Sequence, residues 1–288
     1  MPVALLVALS GAACGTSSAG SSRTLSVVAA ENFYGDIAFQ IGGARVHVTS
    51  ILSDPQADPH LFEPGTAVAA EVATATLVIE NGLGYDAFVD RLIAAAPNDR
   101  RRVVNVSSAL GVGSGANPHI WYDLPRAGEI AAAIERGLAS VDSAHQSEYR
   151  QRLQTFDASL KPLLEALDAI KTRHPGAPVA YTEAVPAYLL QAAGLRILTP
   201  EAFARAIEQG TDPPPQAFAA MDSLLTGHLI DVLLYNSQAT SPITERLRAV
   251  AGQNGIPVVP VTETLPPGAT FQTWQLGQIR AIAAALDR

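Results

Sequence analysis

The chain has 288 residues but only one cysteine, Cys14, so it cannot form an intramolecular disulfide. Basic runs are also missing beyond residues 100–102, and the formal net charge is -8. A surface that follows nucleic-acid phosphates is therefore excluded, because such surfaces need clustered Lys and Arg. The hydrophobic content of 48% indicates instead a globular protein with a sizeable core.

A long membrane-spanning run is absent as well, since the apolar stretch at residues 3–13 is too short to cross a bilayer. It ends in small residues directly before Cys14, and a Gly/Ser-rich stretch follows at residues 15–22. This order is typical of a bacterial lipoprotein signal, whose cysteine is lipidated and becomes the mature N-terminus. We expect residues 1–23 to be signal and tether. The protein would then be extracytoplasmic, held by a lipid on Cys14 at the outer face of the bacterial cell membrane.

Short β-branched runs alternate with amphipathic segments from residue 24 onward. Four runs fall in the first half and four in the second, at residues 25–28, 46–52, 77–79, 103–106, 179–181, 196–198, 232–235 and 258–261. Strands separated by helices imply right-handed crossovers and parallel sheets. The sequence therefore predicts an α/β fold with two lobes.

The segment between the halves, residues 144–173, holds no glycine and one proline, Pro162. Its apolar residues recur at spacings of three and four, which predicts one long α-helix with a buried face. We therefore expect an N-terminal lobe at 24–143, a linking helix at 144–174 and a C-terminal lobe at 175–288. Ligands of open α/β sheets bind beyond the carboxyl ends of the strands, so the site is expected in the cleft between the lobes.

Two of the six histidines directly follow a proline in predicted loops of the first lobe. His60 stands in Asp-Pro-His-Leu-Phe-Glu-Pro and His119 in Asn-Pro-His-Ile-Trp-Tyr-Asp. Proline restricts the backbone beside each ring, and rigidly held imidazoles are typical transition-metal ligands. The other four histidines show no such setting and are expected not to bind metal, namely His47, His145, His174 and His228.

The chain resembles the metal-binding solute-binding proteins of zinc and manganese ABC importers, the TroA-like family. Besides the two Pro-His motifs, the resemblance includes Ile-Gly-Gly-Ala-Arg-Val at residues 41–46 and Val-Ile-Glu-Asn-Gly-Leu-Gly-Tyr at 78–85. In the second half it includes Tyr188 with Gly194 and Leu195. The resemblance implies a monomer that binds one divalent metal ion, manganese or zinc, and delivers it to an importer permease and its ATPase.

The family's site takes two ligands from each lobe, and His60 and His119 match the first two. The third position is Glu183, where zinc-type members carry His and manganese-type members carry Glu. The fourth is usually Asp in Thr-Asp-Ser; here the motif reads Thr-Glu-Thr, which places Glu263 there with one extra methylene. The resemblance thus implies His60, His119, Glu183 and Glu263 as metal ligands. Oxygen-rich ligation shifts the preference modestly toward manganese.

The residues alone agree in outline, because Glu183 and Glu263 both follow a predicted strand and can point into a cleft. Either carboxylate alone is more typical of the first turn of a helix. Two imidazoles with two carboxylates carry a formal charge of -2, which is costly to bury and which a divalent cation cancels.

Two alternative functions stay open at this level. Two histidines with carboxylates can also hold an activated water in a zinc hydrolase, although the chain has no His-Glu-x-x-His motif and no serine nucleophile elbow. A surface adhesin or structural lipoprotein with a metal-stabilised fold is the second alternative. Turnover of ester or phosphate substrates would indicate the hydrolase, and neighbouring genes for a permease and an ATPase would favour transport over the second alternative.

Overall fold

The computed structural model describes residues 24–56 and 58–288, and it contains two four-stranded parallel sheets. The eight strands are β1 (Leu25–Glu31), β2 (Val46–Leu52), β3 (Leu77–Glu80), β4 (Arg102–Asn105), β5 (Pro178–Tyr181), β6 (Arg196–Ile197), β7 (Val232–Asn236) and β8 (Val258–Val261). Each strand lies where a β-branched run predicted one. The predicted fold of two α/β lobes with parallel sheets is confirmed.

Twelve α-helices lie between and after the strands in the described part of the chain. They are α1 (Asn32–Gly42), α2 (Thr66–Thr74), α3 (Ala87–Ala95), α4 (Val106–Ala109), α5 (Ala127–Val141), α6 (Gln146–Ser159), α7 (Lys161–Arg173), α8 (Ala187–Ala192), α9 (Glu201–Glu208), α10 (Pro215–Thr226), α11 (Pro242–Gln253) and α12 (Phe271–Leu286). Short 3-10 turns also occur. One of them, Pro59–Leu61, contains His60, and another, Ile120–Tyr122, directly follows His119.

The two sheets have the same strand order. The first runs β2-β1-β3-β4 and the second runs β6-β5-β7-β8. The central pair is β1 and β3 in the first sheet and β5 and β7 in the second, and the remaining two strands of each sheet lie at its edges. In such a sheet the chain reverses direction of winding between the central strands, which opens a crevice at their carboxyl ends. β7 lies between β5 and β8, and this position matters for the site below.

Side chains of the central strands are buried on both faces, as expected for parallel sheets covered by helices. One apolar cluster continues from the first lobe into the second, and it includes Phe33, Trp121, Val179 and Phe271. Burying a large apolar side chain stabilises a fold by about 1.5–3 kcal/mol. The shared core therefore holds the lobes together by packing as well as by chain connection.

The predicted linking helix is present and is interrupted once. Helix α6 ends at Ser159, and α7 begins at Lys161 after the single residue Leu160. Pro162 has no amide hydrogen to donate to the preceding turn, which explains the break. Helix α6 contacts α1 and α5 of the first lobe, whereas α7 contacts α8 and α12 of the second. The lobe limits at residues 143 and 175 stay a prediction.

The predicted lipidation site, Cys14, lies outside the described residues together with the rest of residues 1–23. Within the described ranges, no helix combines the length and the apolar character needed to cross a membrane.

Candidate metal centre

His60 lies in the loop after β2, on the 3-10 turn Pro59–Leu61. The Asp58 carboxylate accepts a hydrogen bond of 2.9 Å from the His60 backbone N–H, which fixes the start of the turn. The side chain of His60 is 23% exposed, so the ring forms part of the rim of the cleft. Its Nε2 atom points inward and lies 3.0 Å from Glu183 Oε1.

His119 is fully buried at the start of the turn Ile120–Tyr122. Its Nδ1 lies 2.7 Å from Asn117 Oδ1, and Asn117 Nδ2 donates to the Ala184 carbonyl at 2.8 Å. Because the amide oxygen can only accept, Nδ1 carries the proton and Nε2 presents a lone pair to the cleft. Trp121 packs against the ring with centroids 5.1 Å apart.

His119 Nε2 has no hydrogen-bond partner among the described residues, although it is buried. The nearest charged group is Glu263 Oε2 at 3.5 Å. A buried acceptor without a donor is costly unless another group satisfies it. A cation between the imidazole and the carboxylate would satisfy it.

The two carboxylates come from the second lobe. Glu183 follows β5 and Glu263 follows β8, and their side chains are 0% exposed. Asn236, the last residue of β7, donates from Nδ2 to Glu183 Oε2 at 2.5 Å and to Glu263 Oε1 at 2.7 Å. The other oxygen of each carboxylate faces the imidazoles. The sheet order produces this arrangement, because β7 lies between the two strands that precede the carboxylates.

Tyr85 completes the lining of the centre. Its hydroxyl donates to Glu263 Oε2 at 2.8 Å, and its ring lies 5.6 Å from that of His60 and 5.7 Å from that of His119. Burial, together with the charge of Glu263, raises the pKa of Tyr85 well above its ordinary value. The phenol therefore keeps its proton and acts as a donor to the carboxylate.

Charges within the centre are strongly linked. Although burial lowers the pKa of His60, its hydrogen bond to Glu183 and the charge of Glu263 raise that pKa to about 9. Burial would raise the pKa of Glu263, but the neighbouring imidazoles of His119 and His60, together with the hydrogen bond from the Asn236 amide, lower it to about 2. Positive charge is thus favoured at the point where the four side chains meet.

The four predicted ligand residues are brought together by the fold. Donor atoms of His60, His119 and Glu183 all lie within 4.8 Å of one another, and the only such cluster within the described ranges is this one. Glu263 Oε2 is 3.5 Å from Nε2 of both histidines. Two imidazole nitrogens and two carboxylate oxygens suit a first-row divalent ion at about 2.0–2.2 Å.

The remaining histidines lie elsewhere. His145 contacts Asp142 at 2.7 Å and His174 contacts Asp287 at 2.9 Å, while His47 and His228 are exposed. None of the four belongs to the cluster of donor atoms formed by His60, His119 and Glu183.

Sequence reasoning did not assign roles to Asn117, Asn236 and Tyr85, whose side chains contact the predicted ligands. Asn117 and Tyr85 both lie in the motifs quoted above. Asn117 directly precedes Pro118, and Tyr85 directly follows Gly84. Asn236 carried a weaker signal, a polar residue directly after an apolar strand. Its importance depends on which strands are neighbours, and the sequence does not give that order.

A cavity of about 750 Å³ opens beside the centre at the edge marked by His60. Both lobes line it, with Tyr85 and Asn117 on one side and Tyr181 and Glu201 on the other. The cavity gives an ion a route from solvent to the half-buried ring.

Comparison with known proteins places the chain in a family. The family model "ZnuA: Zinc-uptake complex component A periplasmic" matches residues 27–285. The chain belongs to this family. The manganese-binding lipoprotein MntA of Bacillus subtilis is 28% identical over 161 residues, which cover 50% of this chain and 52% of that protein.

A second relative, the manganese ABC transporter substrate-binding lipoprotein PsaA of Streptococcus pneumoniae, is 28% identical over 175 residues, 56% of each chain. The chain therefore spans about half the length of the curated relatives it matches. Among solved structures, the periplasmic zinc-binding protein TroA of Treponema pallidum superposes with a TM-score of 0.79 at 18% identity, covering 92% of this chain and 100% of that one. At this identity the superposition shows a shared fold.

Proposed function

We propose that the protein binds one divalent transition-metal ion outside the cytoplasm and delivers it to an ABC importer. His60 and His119 of the first lobe and Glu183 and Glu263 of the second serve as its ligands. The observation that supports this most is the buried His119 Nε2, which lacks a partner among the described residues and lies 3.5 Å from Glu263 Oε2. The ion is cargo, so it must bind tightly and still be released.

The donor set favours a carrier over a zinc hydrolase. A catalytic zinc keeps a coordination position open for water and substrate, whereas four protein donors fill a tetrahedral site. Tyr85, the nearest additional side chain with a proton, donates to Glu263 and stays protonated. It is therefore a poor general base. Membership of a zinc-uptake family supports the same choice.

Transport requires partners and a location, and both belong to the proposal. Relatives are named as lipoproteins and as a substrate-binding part of an ABC transporter, which supports a permease and an ATPase as partners. We infer that Cys14 carries the lipid anchor and that the protein acts as a monomer at the membrane surface. Replacing Cys14 with Ser should release the protein from membranes or stall its processing; unchanged membrane association would contradict the anchor.

The metal can be manganese or zinc. Zinc should bind more tightly than manganese in this N₂O₂ site by the general order of divalent affinities, so affinity alone does not name the ion that is transported. Metal analysis of protein taken from its native cell envelope identifies it.

The test of the function has two parts. Metal-stripped protein titrated with Zn²⁺ or Mn²⁺ should bind one ion per chain, and cells lacking the gene should lose high-affinity uptake of that metal. Uptake that is unchanged in such cells would contradict transport, even if the protein binds metal in solution. A structural role for the metal would then be favoured.

A further inference from the structure

Asn236 is a fully buried amide that contacts both carboxylates of the centre and neither histidine. Its Oδ1 accepts from the Gln238 backbone N–H at 3.0 Å, and its own backbone N–H donates to Thr182 Oγ1 at 3.0 Å. The orientation of the amide is therefore fixed, because the Gln238 N–H requires an oxygen on that side. Both Nδ2 protons are left to face Glu183 and Glu263.

The contact with Asn236 gives the two oxygens of each carboxylate different surroundings. Glu183 Oε2 and Glu263 Oε1 are held by the amide at 2.5 and 2.7 Å, while Glu183 Oε1 and Glu263 Oε2 face the imidazoles. A carboxylate can bind a metal through one oxygen or through both. Asn236 contacts neither histidine, so the oxygens that it holds are the ones farther from the imidazoles and are poorly placed as second metal donors. Glu263 Oε2 also accepts from the Tyr85 hydroxyl at 2.8 Å, but it lies 3.5 Å from Nε2 of both histidines and keeps a second lone pair for the ion.

We propose that Asn236 is a positioning residue that restricts Glu183 and Glu263 to one metal-binding oxygen each and so sets the coordination number at four. The inference rests on the proposed function and deepens it. Zinc accepts four tetrahedral ligands, whereas manganese prefers about six, largely oxygen. Asn236 therefore favours zinc over manganese beyond the preference that the four ligands produce by themselves.

Removal of the amide should relax this restriction. In the Asn236→Ala variant, Oε2 of Glu183 and Oε1 of Glu263 lose their donor and become free to join the metal. The number of oxygen ligands then rises toward that preferred by manganese. The ratio of the manganese Kd to the zinc Kd should fall by about tenfold, a size typical of supporting residues at metal sites.

The coordination number is read independently of affinity from the visible spectrum of the Co²⁺-loaded protein. Four-coordinate, tetrahedral Co²⁺ absorbs intensely in the visible region, and five- or six-coordinate Co²⁺ absorbs weakly. The unaltered protein should give the intense spectrum, and Asn236→Ala should give a weaker one. Asn236→Ser keeps a single hydroxyl donor, so its Co²⁺ spectrum should be intermediate in intensity. It also replaces the alanine variant in the test if that variant folds poorly.

Asn105→Ala is the matched control. Asn105 also ends a strand and donates from Nδ2 to a buried carboxylate, Glu80 Oε1 at 2.8 Å, but in the first lobe and away from the four ligands. A general loss of stability would appear in both variants, whereas the changes in spectrum and metal preference should appear only at Asn236.

Failure of this inference can be distinguished from failure of the proposed function. Tight binding with a weak Co²⁺ spectrum in the unaltered protein would overturn the role of Asn236 and leave the carrier function intact. The same holds if Asn236→Ala keeps both the intense spectrum and the original ratio of manganese to zinc Kd. Absence of metal binding by the unaltered protein would overturn the proposed function, and this inference with it.

Discussion

The two lobes share a strand order but hold their halves of the centre in different ways. In the first lobe, each histidine stands in its own proline-marked turn with its own support, Asp58 for His60 and Asn117 for His119. In the second lobe, Glu183 and Glu263 share one support, Asn236. The first lobe thus contributes two independent imidazoles, and the second contributes a linked carboxylate pair.

The first lobe also has acids at the carboxyl edge of its sheet, but they do not enter the centre. Glu31 ends β1 and is fully buried, and neither of its carboxylate oxygens has a hydrogen-bond partner among the described residues. Burial raises the pKa of Glu31 well above its ordinary value and that of Glu80 to about 7. The acids at the carboxyl edges of the two sheets therefore differ in charge. The raised pKa values of Glu31 and Glu80 favour their protonated forms, whereas the lowered pKa of Glu263 keeps its carboxylate ionised.

The largest effect is expected from the second lobe. Glu183→Gln removes one of the two negative charges and should weaken zinc affinity by more than the roughly 100-fold upper range for supporting residues. His60→Ala should cost less, because the 23% exposed side chain leaves room for water to replace the imidazole. Competition with a chromogenic chelator measures both. A larger loss for His60→Ala than for Glu183→Gln would contradict the comparison.

Metal binding should stabilise the whole molecule, because the four ligands join the lobes. At a free metal concentration 1,000 times the Kd, the free energy of unfolding should rise by about 4 kcal/mol. The radius of gyration should change little, since the lobes already share an apolar core. Calorimetry and solution scattering on metal-free and loaded protein measure these quantities. A large compaction on loading would contradict the shared-core account and favour a hinge at Leu160.

Loss of a residue that supports one histidine should weaken zinc binding less than loss of a ligand. Asn117→Ala removes the acceptor at 2.7 Å from His119 Nδ1 and frees the ring to change tautomer. Zinc affinity should fall by about 10- to 100-fold. The same titration with Asn105→Ala, which alters a strand-end amide that is bonded to Glu80 and to none of the four ligands, should show unchanged affinity. Equal losses in the two variants would indicate general destabilisation instead of a tautomer effect.

The smallest effect concerns the acids of the first lobe. Because the folded pKa of Glu80 is raised to about 7 from an ordinary 4.5, its contribution to stability is fully present below pH 4.5 and is lost as the pH rises through 7. Glu80→Gln imitates the protonated acid and keeps an oxygen for Asn105. The metal-free variant should match the unaltered protein at pH 4.5 and exceed it at pH 8, by on the order of 1 kcal/mol. Denaturation at the two pH values tests this, and a variant that is less stable at pH 8 would contradict it.

The sequence predicts the strands well because each is a compact β-branched run, and the central ones are buried on both faces. The family resemblance implies which four residues form the site, and the paired Pro-His turns and the acids that follow strands agree with it in outline. The sequence does not predict Asn236, since that role arises from the position of β7 between β5 and β8. The break at Leu160 was partly foreseeable, because Pro162 lacks the amide hydrogen that a continuous helix needs.

We propose that one metal ion joins the imidazoles of the first lobe to the carboxylates of the second. Anomalous scattering from crystals of the loaded protein, recorded at the absorption edge of zinc or manganese, locates that ion directly. We expect one strong peak within bonding distance of His60 Nε2, His119 Nε2, Glu183 Oε1 and Glu263 Oε2. A peak bound by the residues of one lobe alone, or a peak outside the cleft, would contradict it.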